Sequence, residues 1–101
     1  MSLHLSLAQW SLHKAIFSGQ LRSEDFAVVS RREFGIDAVE LVSQLLRSAR
    51  PEPIAEIRRR AEGEGVKVLL IMVDDEGDLS HPKSRARKRA VANHFKWIEA
   101  A

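Results

Sequence analysis

A chain of 101 residues that is 45% hydrophobic has apolar side chains enough for one small core, not two. With no cysteine it forms no disulfide and no thiolate metal site, and Lys+Arg 16 against Asp+Glu 14 leaves a net charge of +2, without the basic excess of a dedicated nucleic-acid binder. No apolar run approaches the ~20 residues of a membrane span, and Met1-Ser2-Leu3-His4 lacks the order of a secretory signal, so the sequence reads as soluble and cytoplasmic, with no nucleic-acid or membrane partner.

The first element is a strand over residues 3–9. Leu3, Leu5 and Leu7 alternate with His4, Ser6 and Ala8, so the leucines share one face and the small or polar residues the other. That division suits a barrel wall with helices outside and small side chains inside, or an edge strand with one wet face. Residues 11–22 then form a long connection with one short helical turn before Gly19. A helix follows from Ser23, the predicted N-cap, with Glu24 and Asp25 in its first turn and Phe26, Val29 and Ser30 facing inward. Gly35 is placed as its left-handed cap, with Ile36 folding back on the last turn.

A second strand occupies residues 37–42. Its Glu40 is costly to bury without a partner, which favours a supporting hydrogen bond over catalysis. Pro51 and Pro53 punctuate the loop before the next helix, whose stripe is Ile54, Ile57 and Ala61 and whose end is Gly63 or Gly65. Residues 66–73 carry one charge in eight and read as a strand buried on both faces. The acidic stretch from Asp74 to Asp78 brings that strand to the surface at its carboxyl end, where parallel α/β sheets bind ligands. The last helix starts near Ser80-His81-Pro82, with Val91, His94, Phe95 and Ile98 on one side and Ala90, Trp97 and Ala101 beside them. Strand starts near 3, 37 and 66 give a unit of about thirty residues, the spacing of successive βα units with parallel strands.

Motifs that carry chemistry are few. Histidines 4, 13, 81 and 94 show no metal-ligand spacing, and His94 reads as a packed histidine. With Gly77 at position six of a calcium loop, Met72 falls at position one and Lys83 at twelve, so the EF-hand pattern fails. Five basic residues between Lys83 and Arg89 scatter around a helix and read as a solvated face.

Three ordered blocks carry a resemblance: Ser6-Leu7-Ala8-Gln9-Trp10-Ser11-Leu12-His13, then Phe34-Gly35-Ile36-Asp37-Ala38-Val39-Glu40, then residues 65–74. Gly77-Asp78-Leu79 and Asn93-His94-Phe95-Lys96-Trp97 extend it. The chain resembles the sugar phosphate isomerase/epimerase family, the xylose-isomerase-like TIM barrels, whose superfamily includes the endonuclease IV type of repair enzyme. The resemblance implies a partial TIM barrel of the α/β class, with three βα units in strand order 1-2-3 over residues 1–101. A whole barrel needs about 250 residues, so the match covers three of eight units and stops inside the third helix.

The family's activity is proton transfer beside a sugar carbonyl, assisted by a divalent metal (Mn, Mg, Co or Zn), with a sugar or sugar phosphate as substrate. Its metal ligands lie on later strands, so this stretch is expected to hold neither a metal nor a catalytic residue and to be inactive alone. What it would supply is pocket wall: Trp10 and His13 from the first loop and Asp74 from the third, with Glu40 supporting them from behind. The fragment is expected to self-associate through its open sheet. The alternatives are a stand-alone small α/β interaction module and the nuclease branch of the superfamily.

Overall fold

The computed structural model describes residues 3–46 and 48–101. It has mixed α/β architecture: a parallel three-stranded sheet in the order β1-β2-β3, and four α-helices. In chain order these are β1 (Leu7–Ala8), α1 (His13–Phe17), α2 (Phe26–Phe34), β2 (Ala38–Val42), α3 (Pro51–Gly63), β3 (Lys67–Met72) and α4 (Ser84–Ala100). No helix among the described residues is long and apolar enough to cross a membrane.

Register shows why β1 is shorter than the alternation of its leucines predicts. Leu7 pairs with Val39 and Ala8 with Glu40, so residues before Leu7 lie level with Gly35–Asp37, where the chain is still leaving α2. Gly35 has φ +66°, which cannot continue a ladder. Leu3 and Leu5 are therefore 85% and 68% exposed, and only Leu7 of the three joins the core.

The core lies on one face of the sheet. Leu7, Val39, Leu41 and Ile71 meet Phe26 and Ala27 of α2 and Ile57 and Ala61 of α3. Alternation along the paired strands turns Ser6, Ala8, Glu40, Leu70 and Met72 to the other face. There Leu70 and Met72 are 45% and 48% exposed. The β2–β3 pairing skips one residue, Leu69, between the pairs Val39–Val68 and Glu40–Leu70.

Several expectations are corrected. The strand read as buried on both faces is an exposed edge, in which only Ile71 is even half-buried, because β3 has a neighbour on one side only. Its apolar run matches a central strand, but the run alone cannot supply the next strand. Pro51 and Pro53 lie within the first turn of α3 rather than in the loop before it, where a missing N–H costs nothing. Ser23 is not an N-cap: residues Ser23–Asp25 form a 3-10 turn, and the Ser23 hydroxyl donates to the Leu45 carbonyl across the core. The last helix begins at Ser84, beyond Pro82.

The inward face of α4 also differs from the prediction. Ala90 and Trp97 are buried, while Val91, Phe95 and Ile98 are exposed. His94 is half-buried, and its Nδ1 donates to the Ala90 carbonyl at 2.7 Å within its own helix. By contrast, the cap at Gly35 forms as expected: Gly35 N–H bonds Arg31 O at 3.1 Å and Ile36 N–H bonds Ser30 O at 3.0 Å. Gly65, at φ +69°, ends α3, and Val66 N–H reaches Ala61 O at 2.9 Å.

Candidate functional site

The carboxyl ends of the three strands converge on one rim. After β1 the chain tightens into a 3-10 turn, Gln9–Leu12, and runs directly into α1. This places Trp10 and His13 three residues apart, so their rings stack with centroids 4.3 Å apart and planes 4° from parallel. Phe17 stands edge-on to both, at 6.2 and 6.3 Å. The His13 Nδ1–H donates to Trp10 O at 2.7 Å, which holds the imidazole over the indole and leaves Nε2 outward. Trp10 remains 43% exposed, so the stack presents an aromatic edge to solvent.

Gln9 anchors this turn. It is fully buried, and its side-chain carbonyl accepts from Val42 N–H at 2.8 Å, tying the end of β1 to the end of β2. Sequence reading did not single out Gln9. The signal available was a polar residue ending an alternating strand, and that pattern alone does not say which backbone group needs an acceptor.

Ser43 does the same for the next pair. Its hydroxyl accepts from Asp74 N–H at 2.9 Å and donates to Asp74 O at 3.1 Å, so both backbone groups of Asp74 are held. Beside it Gln44 Nε2 donates to the Asp75 carboxylate at 2.6 Å, and Asp75 adopts φ +61°, a left-handed conformation uncommon outside glycine. Glu76 lies 3.0 Å from the Lys96 ammonium, and its carbonyl accepts from Asn93 Nδ2 at 3.2 Å, linking this loop to α4. Together Phe17, Ser43, Gln44, Asp74, Asp75, Glu76 and Trp97 line a concavity of about 370 Å³.

The structure thus brings Asp74 to the concavity and puts the third ring of the aromatic cluster, Phe17, in its wall; Trp10 and His13 stand behind Phe17 and do not line it. Glu40 is elsewhere, on the open face of the sheet, where Ser6 Oγ donates to its Oε2 at 2.7 Å. This is the supporting hydrogen bond the sequence called for, between neighbouring strands.

The residues present do not build a centre for the divalent metal the family resemblance implies. Among the described residues, no three His, Asp or Glu side chains could together hold a metal ion. Asp75 and Glu76 are turned to Gln44 and Lys96 rather than toward a shared point. What the rim can do is bind and orient: an aromatic wall for an apolar ligand face, and an Asp74 carboxylate and Gln44 amide for hydroxyl groups. No family model matches this chain, and no curated protein matches it.

Proposed function

We propose that this chain forms the first three βα units of a sugar phosphate isomerase/epimerase-like TIM barrel and contributes its substrate-binding rim. The observation that supports the reading is the convergence of Phe17, Gln44, Asp74 and Glu76 on one concavity at the carboxyl ends of parallel strands, where such folds bind ligands. The open sheet face agrees with it: Ser6, Ala8 and Glu40 are the small and polar groups that a barrel interior accepts.

In this role the chain binds and orients a sugar or sugar phosphate without performing the proton transfer. The Asp74 carboxylate accepts from substrate hydroxyls, in a position held by Ser43, and the Trp10–His13–Phe17 cluster backs one side of the pocket. Glu40 braces the wall between β1 and β2.

The test is the reading frame through codon 101. Its full product, assayed with sugar phosphates and added Mn, Mg, Co or Zn, is expected to exchange a substrate C–H proton with solvent. Asp74→Asn is expected to lower that exchange by about tenfold or more, the scale of losing a hydrogen bond to a charged group. Residues 1–101 alone are expected to give no turnover. A stop directly after Ala101, or turnover from the 101-residue chain itself, overturns the proposal.

A further inference from the structure

We infer that the free edge of β3 is a self-association surface, on which a second copy of this chain lays its own β3 antiparallel. The inference does not rest on the barrel reading, because β3 has β2 on one side and no strand on the other in this structure whichever family the chain resembles.

The edge lacks most of the features that keep exposed strands apart. From Val68 to Val73 it has no proline and no charge, and Val68, Leu69, Leu70 and Met72 are each 39–55% exposed. The one irregularity is the skip at Leu69 in the pairing with β2, and residues 70–72 beyond it pair regularly. A six-residue apolar run free to pair is the kind of segment that seeks another strand.

Charge selects both the occupant and its direction. The run begins at Lys67 and ends at Asp74, followed by Asp75 and Glu76. Among the described residues, neither the Lys67 ammonium nor the Asp74 carboxylate has an ion-pair partner. Two copies paired antiparallel bring each Lys67 to the acidic end of the other strand, twice over. Two copies paired parallel and in register bring lysine to lysine and aspartate to aspartate. Cross-strand opposite charges contribute roughly 0.2–1 kcal/mol each and like charges oppose pairing by a similar amount, so antiparallel is favoured. A two-fold axis normal to the sheet then sets one residue opposite itself, and the regular stretch puts that residue at Leu70 or Ile71.

The absence of native cysteine makes the test direct. Single variants Leu70→Cys and Ile71→Cys are oxidised in solution, with Lys67→Cys and Val91→Cys as references. Sedimentation is run on the unmodified chain at micromolar concentration. The expected result is a dimer, with rapid disulfide formation at Leu70→Cys or Ile71→Cys. Crosslinking at Lys67→Cys is expected to be about tenfold slower or more, because antiparallel pairing holds those ends on the order of 20 Å apart. Lys67→Glu is expected to weaken the dimer, and adding Asp74→Lys to restore it, which separates lost pairing from lost folding. A monomeric chain, equal crosslinking at Lys67→Cys, crosslinking through Val91→Cys alone, or no rescue by the charge exchange overturns the inference. A monomer would leave the barrel reading standing, and a stop after Ala101 would leave this one standing.

Discussion

At the scale of single residues, three side chains carry testable consequences. Ser43 is buried and satisfies both backbone groups of Asp74, so Ser43→Ala leaves an N–H and a C=O to find other partners. The expected cost is about 1–3 kcal/mol in urea unfolding, with a local change in amide exchange at Asp74. Gly77 has φ +101°, and a Cβ built there would stand 2.9 Å from the Cβ of Ala90. Gly77→Ala therefore meets both backbone strain and a packed helix, and about 1–3 kcal/mol of destabilisation is expected, together with a shift in Trp97 fluorescence as α4 moves away. Glu56 accepts from Arg60 and also from Arg59, and the Arg60 hydrogen bond is the main reason its carboxyl lies below the usual range. A depressed folded value means the stabilising contribution is present above the unfolded value and is lost as pH falls through the folded one. The window therefore lies at and below about pH 4. Because the group is exposed, the effect is small; Glu56→Gln is expected to flatten the acid side of the stability–pH curve slightly without shifting the neutral plateau. A steeper acid limb in Glu56→Gln would contradict that sign.

At the scale of elements, α4 is the one docked most narrowly. Its buried residues are Ala90 and Trp97, and among the described residues the Trp97 Nε1–H has no acceptor. The indole therefore holds the helix by its apolar area and loses something for its buried donor. Trp97→Ala is expected to cost about 3–5 kcal/mol, whereas Trp97→Phe, which removes the unpaired N–H with much of the area, should cost far less. Equal losses in the two variants, measured by thermal unfolding, would mean that the donor has a partner such as water. The helix hydrophobic pattern was legible as a pattern and ambiguous as a direction. Two apolar stripes run along α4, Ala90–Trp97 and Val91–Phe95–Ile98, and each satisfies helical spacing. Only contact with Gly77 and the core decides that the first faces inward.

At the scale of the whole molecule, the arrangement is one-sided. The helices α2 and α3 cover one face of the sheet, while the face with Ser6, Glu40, Leu70 and Met72, and the outer edge of β3, have no cover among the described residues. Ion pairs tie the covered side together at its surface: Arg60 of α3 reaches Asp25 ahead of α2, and Arg32 of α2 reaches Glu64 at 2.7 Å. Removing the first of these with Arg60→Ala is expected to loosen α2 against α3 by about 1 kcal/mol or less, since half-exposed pairs contribute little. Covering the open side has the larger effect: under conditions that hold the dimer together, the unfolding midpoint is expected to rise with protein concentration, as mass action requires. A midpoint independent of concentration would mean that the open side contributes nothing to stability through association.

The unit spacing, the parallel order, the Gly35 cap and the need of Glu40 for a partner were all determined by the sequence, because each follows from local geometry or from the penalty of burying one charge. The acidic end of β3 was likewise legible as surface, since such a run cannot remain in a core. Tertiary structure alone decided the rest. Burial of residues 66–73 depends on a neighbouring strand, the length of β1 on where β2 starts, and the inward stripe of α4 on which residue meets Gly77. Hydrophobic periodicity reports that a side chain can be buried. Whether it is buried depends on what stands opposite, and that is a property of distant residues rather than of the segment itself.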